Sequence, residues 1–160
     1  MRIDTEDYFL LLCQTISMKS SCERRKVGAV LTKEKRVIST GYNGSVPGST
    51  NCDSGETCQS NGRCILTIHA EINALMRARE VADQLWCTDT PCFTCLKSIL
   101  SYNPEIEIIW LRKYEDAQRD EYIEKVLKNE VNIRQFRSSA ISRNRSVINS
   151  MFEEYNALLD

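Results

Sequence analysis

A histidine and a pair of cysteines that must converge on one point constrain this chain more than anything else in it. They lie in His69-Ala70-Glu71 and Pro91-Cys92-Phe93-Thr94-Cys95. His69, Cys92 and Cys95 are ligands of the kind zinc takes. Three protein ligands leave its fourth position open, as catalytic rather than structural sites do. His69 is the only histidine in the sequence, so a three-histidine site is excluded. Glu71 follows closely and is not needed as a ligand.

The spacing predicts one helix over 70–78 with His69 at its mouth, and another over 92–100. Cys92 and Cys95 then share a face one turn apart. The partial positive charge of a helix N-terminus favours the thiolates a metal requires. Pro91 suits a first-turn position, where no amide hydrogen is missed. A lone Cys-x-x-Cys also fits a structural zinc clip or a redox pair, and His-x-Glu recurs by chance. The two together, in this order and each opening a helix, carry the catalytic reading. Zinc with a vacant position lowers the pKa of bound water from about 15.7 to about 7. A free carboxylate beside it can take that proton and pass it on, which is the role assigned to Glu71.

The remaining pattern is that of one domain over 1–160. Asp4 or Thr5 caps a first helix whose apolar face is Tyr8, Leu11, Leu12 and Ile16. Val27-Gly28-Ala29-Val30-Leu31 and Val37-Ile38-Ser39-Thr40 flank the short polar turn Lys33-Glu34-Lys35-Arg36, an antiparallel hairpin. Gly41-Tyr42-Asn43-Gly44 follows; its glycines let backbone approach a ligand, although an ordinary Asn-Gly turn reads the same. Strands are expected over 85–88, 106–111 and 131–136. A helix is expected over 115–129, with Tyr122, Ile123, Val126 and Leu127 inward. Val147, Ile148, Met151, Phe152, Tyr155, Leu158 and Leu159 repeat at helical spacing, a face for docking on the domain or on a partner subunit. The order α-β-β-α-β-α-β-α-β-α predicts a three-layer α/β/α sandwich with a mixed five-stranded sheet.

Residues 45–66 form a long loop containing Cys52, Cys58 and Cys64, with Cys22 standing before the first strand. These four cysteines are read as a second, structural zinc site with a closed tetrahedron; free cysteines or a partial site are the alternative. Cys13 and Cys87 are expected in the core. Eight cysteines without a signal-peptide pattern point to metal or free thiols in a reducing cytoplasm. No apolar run approaches the ~20 residues of a membrane span. A net charge of −1 favours a small substrate over a long nucleic acid.

His-x-Glu followed by Pro-Cys-x-x-Cys is the signature of zinc nucleobase deaminases. Lys26-Val27-Gly28-Ala29-Val30, Thr40-Gly41-Tyr42-Asn43-Gly44, Asn51-Cys52, Ile68-His69-Ala70-Glu71-Ile72-Asn73-Ala74, Thr88, Pro91-Cys92 and Cys95 together resemble the deoxycytidylate deaminases of the cytidine deaminase superfamily. The resemblance runs from about Tyr8 to Tyr114 and implies hydrolysis of dCMP to dUMP. It also implies that Asn43 bonds the deoxyribose. The backbone of Ala70 and Thr90, with Glu71, would read the cytosine edge. Lys26 and Tyr114 would serve the phosphate, with Arg24 and Arg25 behind them. In some similar bacterial and phage proteins, cysteines matching Cys22 and Cys52 help bind a second zinc. The family implies a homohexamer activated by dCTP and inhibited by dTTP, with Mg²⁺ beside the triphosphate and residues Gly41, Tyr42, Asn43 and Gly44 taking part. Rival readings are a tRNA adenosine deaminase, a DNA-editing cytosine deaminase, and a zinc-folded binding module without turnover.

Overall fold

Central strands that are buried on both faces decide the architecture. The computed structural model describes residues 2–22, 24–52, 59–60, 63–137 and 141–158. Strands β1 (Gly28–Lys33) and β2 (Arg36–Tyr42) form a hairpin, followed by the short strands β3 (Gly44–Ser45), β4 (Gln59–Ser60), β5 (Arg63–Cys64) and β6 (Thr67–Ile68). Strands β7 (Gln84–Asp89), β8 (Glu107–Arg112) and β9 (Ile133–Gln135) complete a five-stranded sheet of order β2-β1-β7-β8-β9. The β1–β2 and β1–β7 pairs are antiparallel; β7–β8 and β8–β9 are parallel. The mixed sheet expected from the element order is therefore present.

Val30, Trp86 and Ile109 cluster with Phe9, Leu10 and Cys13 of helix α1 (Thr5–Ser17). Their neighbours Ala29, Leu31, Leu85, Cys87 and Ile108 cluster with α2 (Ala70–Arg77) and α3 (Phe93–Tyr102). Tyr122 and Ile123 of α4 (Ala117–Lys125) pack against this second cluster. Successive residues of these strands thus join opposite clusters, each covered by helices, which is the three-layer sandwich.

The first helix meets the core on a face partly offset from the expected one, with Leu12 and Ile16 packed against it as expected. Its buried residues are Phe9, Leu10, Cys13 and Ser17, while Tyr8 is exposed. Residues 8–13 are apolar nearly all round, so periodicity does not choose a side. Gly28 does: a Cβ there would overlap the Cys13 carbonyl oxygen, so its absence lets α1 sit directly on β1. Helix α4 is also shorter than expected. It ends at Lys125, and Lys128 and Asn129 take left-handed φ values of 49° and 61°. Val126 therefore lies beyond the helix and is exposed rather than inward, while Leu127 still packs on the core.

The last helix, α5 (Ile141–Ala157), is present, with Met151, Phe152, Tyr155 and Leu158 exposed; Leu159 lies outside the described residues. Among the described residues near the expected loop over 45–66 there are two short pairings: β4 with β5, and β3 with β6 through Gly44 and Ile68. The second pairing delivers the chain to His69. Among the described residues, no helix is long and apolar enough to cross a membrane.

Candidate metal centre and substrate cleft

Both halves of the candidate zinc site are presented by helix starts. His69 is the N-cap of α2 and Cys92 the N-cap of α3. Pro91 accordingly precedes the cap instead of occupying the first turn. Gly41 permits the meeting: a Cβ there would overlap the Ala70 carbonyl oxygen, so α2 can lie against β2 only because there is none. What approaches this glycine closely is the protein's own helix.

The ligand atoms of His69, Cys92 and Cys95 lie within 4.8 Å of one another. His69 Nδ1 is 3.4 Å from Cys92 Sγ and 3.2 Å from Cys95 Sγ. Zinc arms of about 2.0–2.1 Å to nitrogen and 2.3 Å to sulfur give a tetrahedral N–S edge of roughly 3.6 Å, so these residues fit the ion. Cys92 is held low, at about 4, by the hydrogen bond from Cys95 and by His69. Cys95 is pushed up by donating that bond and by burial. A thiolate is thus already favoured at the exposed end of the pair, as metal capture requires.

Glu71 is the second residue of α2, 4% exposed, and outside the ligand triad. Burial pushes its carboxyl up to about 7. A bound dication would draw that value back down, leaving a carboxylate able to exchange a proton near neutrality.

These groups line a cleft of about 1000 Å³ that also contains Asn43, Ala70, Thr90, Tyr114, Arg24 and Arg25. Lys26 is exposed and is not among the cleft residues; its carbonyl accepts a bond from Arg112 at 3.2 Å. Asn43 is buried. Its Oδ1 accepts the Val27 N–H and its Nδ2 donates to the Arg25 carbonyl, both at 2.7 Å. One Nδ2 hydrogen remains for another partner. The Thr90 N–H is taken by the Arg112 carbonyl at 2.9 Å, so of its backbone groups only the carbonyl could serve a ligand. Ala70 is the first residue of α2, where amide hydrogens have no helical acceptor.

Three functional residues escape the sequence reading. Asp89, at the end of β7, is buried between Arg25 Nε at 3.1 Å and Arg112 Nη2 at 2.9 Å. Arg25 in turn lies 4.9 Å over the Tyr114 ring, so carboxylate and ring together fix one guanidinium at the cleft wall. Asp116 caps two helices, accepting from Phe93 N–H at 2.7 Å and Arg119 N–H at 3.0 Å. Arg119 is a buried cation. The first two have weak signals: an acid ending a strand, and an Asp opening a helix. Arg119 has none, because the partner that ties it to the site, the Pro91 carbonyl, is distant in the chain.

Of the second cysteine group, Cys22 and Cys52 are buried, and Cys64 shares a hydrogen bond with Cys52. Cys58 lies outside the described residues. Cys22 and Cys64 both reach the cleft.

Comparison with known proteins agrees with this geometry. Residues 3–109 match the model for the cytidine and deoxycytidylate deaminase zinc-binding region. The chain is 37% identical over 147 residues to the deoxycytidylate deaminase of Saccharomyces cerevisiae, covering 85% of this chain and 46% of that one. The chain thus spans about half the length of the yeast relative. It is 38% identical over 109 residues to the deoxycytidylate deaminase of Mycobacterium phage D29, covering 59% of this chain and 84% of the phage protein. The dCMP deaminase of cyanophage S-TIM5, solved in complex with dCMP and dUMP, superposes with a TM-score of 0.67 at 26% identity, covering 85% of this chain and 99% of that one. A matching family model over most of the chain, on a fold and a ligand triad of the kind that family needs, places the protein in the cytidine and deoxycytidylate deaminase family.

Proposed function

We propose that this chain hydrolyses dCMP to dUMP and ammonia. The observation that carries the reading is Glu71, a buried acid beside the His69/Cys92/Cys95 triad and not part of it. Zinc, when held by that triad, supplies the Lewis acid that makes water nucleophilic at neutral pH. Glu71 takes the water proton on a carboxylate oxygen, gives it to the ring nitrogen, and moves a second proton to the departing amine. The Ala70 amide and the Thr90 carbonyl read the cytosine edge. Asn43 donates its remaining amide hydrogen to the sugar. Arg25, fixed between Asp89 and Tyr114, receives the 5′-phosphate in preference to Lys26, because it lies on the cleft and Lys26 does not.

The finer parts of the reading rest on less. A structural zinc on Cys22, Cys52, Cys58 and Cys64 is supported by the burial of the first two and by the Cys52–Cys64 contact. Activation by dCTP with Mg²⁺, inhibition by dTTP and a homohexamer are supported by the Gly41-Tyr42-Asn43-Gly44 resemblance. The tie from Asn73 Nδ2 to the Tyr42 carbonyl at 2.8 Å joins that segment to the catalytic helix.

Ammonia release from a panel of dCMP, dCTP, deoxycytidine, adenosine and single-stranded DNA tests the substrate. The proposal expects dCMP to be used best. Equal turnover of deoxycytidine, or a preference for the polynucleotide or adenosine, overturns it.

A further inference from the structure

The turn that carries the first zinc cysteine is bonded along its length to the segment after β8. The Thr90 N–H donates to the Arg112 carbonyl at 2.9 Å, and the Tyr114 N–H donates to Thr90 Oγ1 at 3.2 Å. The Phe93 N–H donates to Asp116 Oδ2 at 2.7 Å. Between these two ties sits Pro91-Cys92, and its anchor is Arg119.

Arg119 is 2% exposed. Its Nη1 donates both to the Pro91 carbonyl at 3.2 Å and to the Tyr114 carbonyl at 2.7 Å. Its Nε and Nη2 are held by Asp120 Oδ1 at 2.9 Å and 2.7 Å. A guanidinium removed from water is costly unless its donors are engaged. Here a single nitrogen bridges the residue before a metal ligand and a residue of the substrate wall. A planar, rigid donor fork suits that task better than a flexible ammonium.

We propose that Arg119 is a positioning residue that keeps Cys92 in ligand geometry and holds Tyr114 in register with it. It touches neither metal nor substrate; it acts through the two carbonyls. The inference rests on His69, Cys92 and Cys95 holding zinc, and it deepens the reading above by naming what keeps the site assembled.

The test uses the zinc-loaded full chain and four proteins: wild type, Arg119→Met, Arg119→Lys and Ile99→Val. Ile99 is fully buried in α3 and makes no part of the turn, so its truncation reports plain destabilisation. Zinc release to a chromophoric chelator, kcat and KM for dCMP, and melting midpoint are measured on each. Arg119→Met is expected to release zinc about tenfold faster or more, as loss of an outer support to a ligand does elsewhere. Its kcat should fall and its KM rise, because Cys92 and Tyr114 both lose their anchor, and Arg119→Lys should recover part of the zinc retention. Ile99→Val should lower the midpoint and keep wild-type zinc release. Wild-type zinc release in Arg119→Met overturns the proposal. So does equal loss of zinc in Ile99→Val at an equal drop in midpoint. Should Arg119→Met not fold, the same comparison is made with Arg119→Lys: release faster than wild type supports the proposal, and unchanged release overturns it. Zinc release is read without substrate, so failure of dCMP as the substrate leaves this test standing.

Discussion

In the proposed reaction Glu71 and Arg25 divide the work of the cleft between chemistry and recognition, and each can be removed without the other. Glu71→Ala is expected to bind zinc as the wild type does and to lose about 10²–10⁴ in kcat, the usual range for a positioned proton carrier. Metal analysis beside steady-state rates checks this, and a near-normal rate in the variant would remove the shuttle role. Arg25→Gln should instead raise KM for dCMP about ten- to a hundredfold, the equivalent of the ~1.5–3 kcal/mol of a hydrogen bond to a charged group. Deoxycytidine has no phosphate to lose, so its kcat/KM should be nearly the same in both proteins. Equal losses on the two substrates would place the phosphate elsewhere. His69, Glu71, Cys92 and Cys95 are legible from sequence because the metal dictates residue types at short spacings. Asp89 and Arg119 are not, because their roles come from partners that only the fold brings to them: Arg25 and Arg112 for the first, Pro91 and Tyr114 for the second.

The elements show where local pattern suffices and where packing overrides it. The β1–β2 hairpin is legible because two β-rich runs flank a short polar turn. Its turn residues Glu34 and Lys35 have φ values of 49° and 62°, a geometry that favours Asn-Gly. Lys35→Gly should therefore raise stability in urea unfolding by up to about 1 kcal/mol; a loss of stability would mean that the turn relaxes another way. Tyr8 and Val126 are misplaced by periodicity for physical reasons. Gly28 selects the face of α1, and left-handed residues cut α4 short. Glu107 ties β8 to its neighbours through Arg134 Nε at 2.7 Å and Gln84 Nε2 at 2.7 Å. Burial alone would raise its pKa, but the bonds from Arg134 and Gln84 outweigh it and hold the carboxyl below the ordinary range. Its contribution is thus present above the ordinary glutamate value of about 4.3, and is lost as pH falls through that value and the lower folded one. Glu107→Gln should cost on the order of 1 kcal/mol at pH 7 and flatten the decline of stability below pH 5. An unchanged acid profile would show that the pair contributes nothing.

For the molecule as a whole, two distant helix starts meet, one delivered by the β3–β6 pairing and one by the turn after the central strand β7, and that makes a candidate metal centre out of residues 69, 92 and 95. The layered fold follows from element order, which is readable in the chain, and from central strands whose successive residues join opposite clusters. The closeness of α2 to β2 follows from Gly41, whose role shows only once the helix is seen against it. The central claim is that a three-ligand zinc site with its own unligated acid performs the reaction. Zinc titrated into metal-free protein, with dCMP conversion followed at each addition, tests it most directly. The account predicts no measurable conversion without metal and a rate that rises in step with zinc until the His69/Cys92/Cys95 site is filled. Full conversion of dCMP by protein stripped of metal would contradict it.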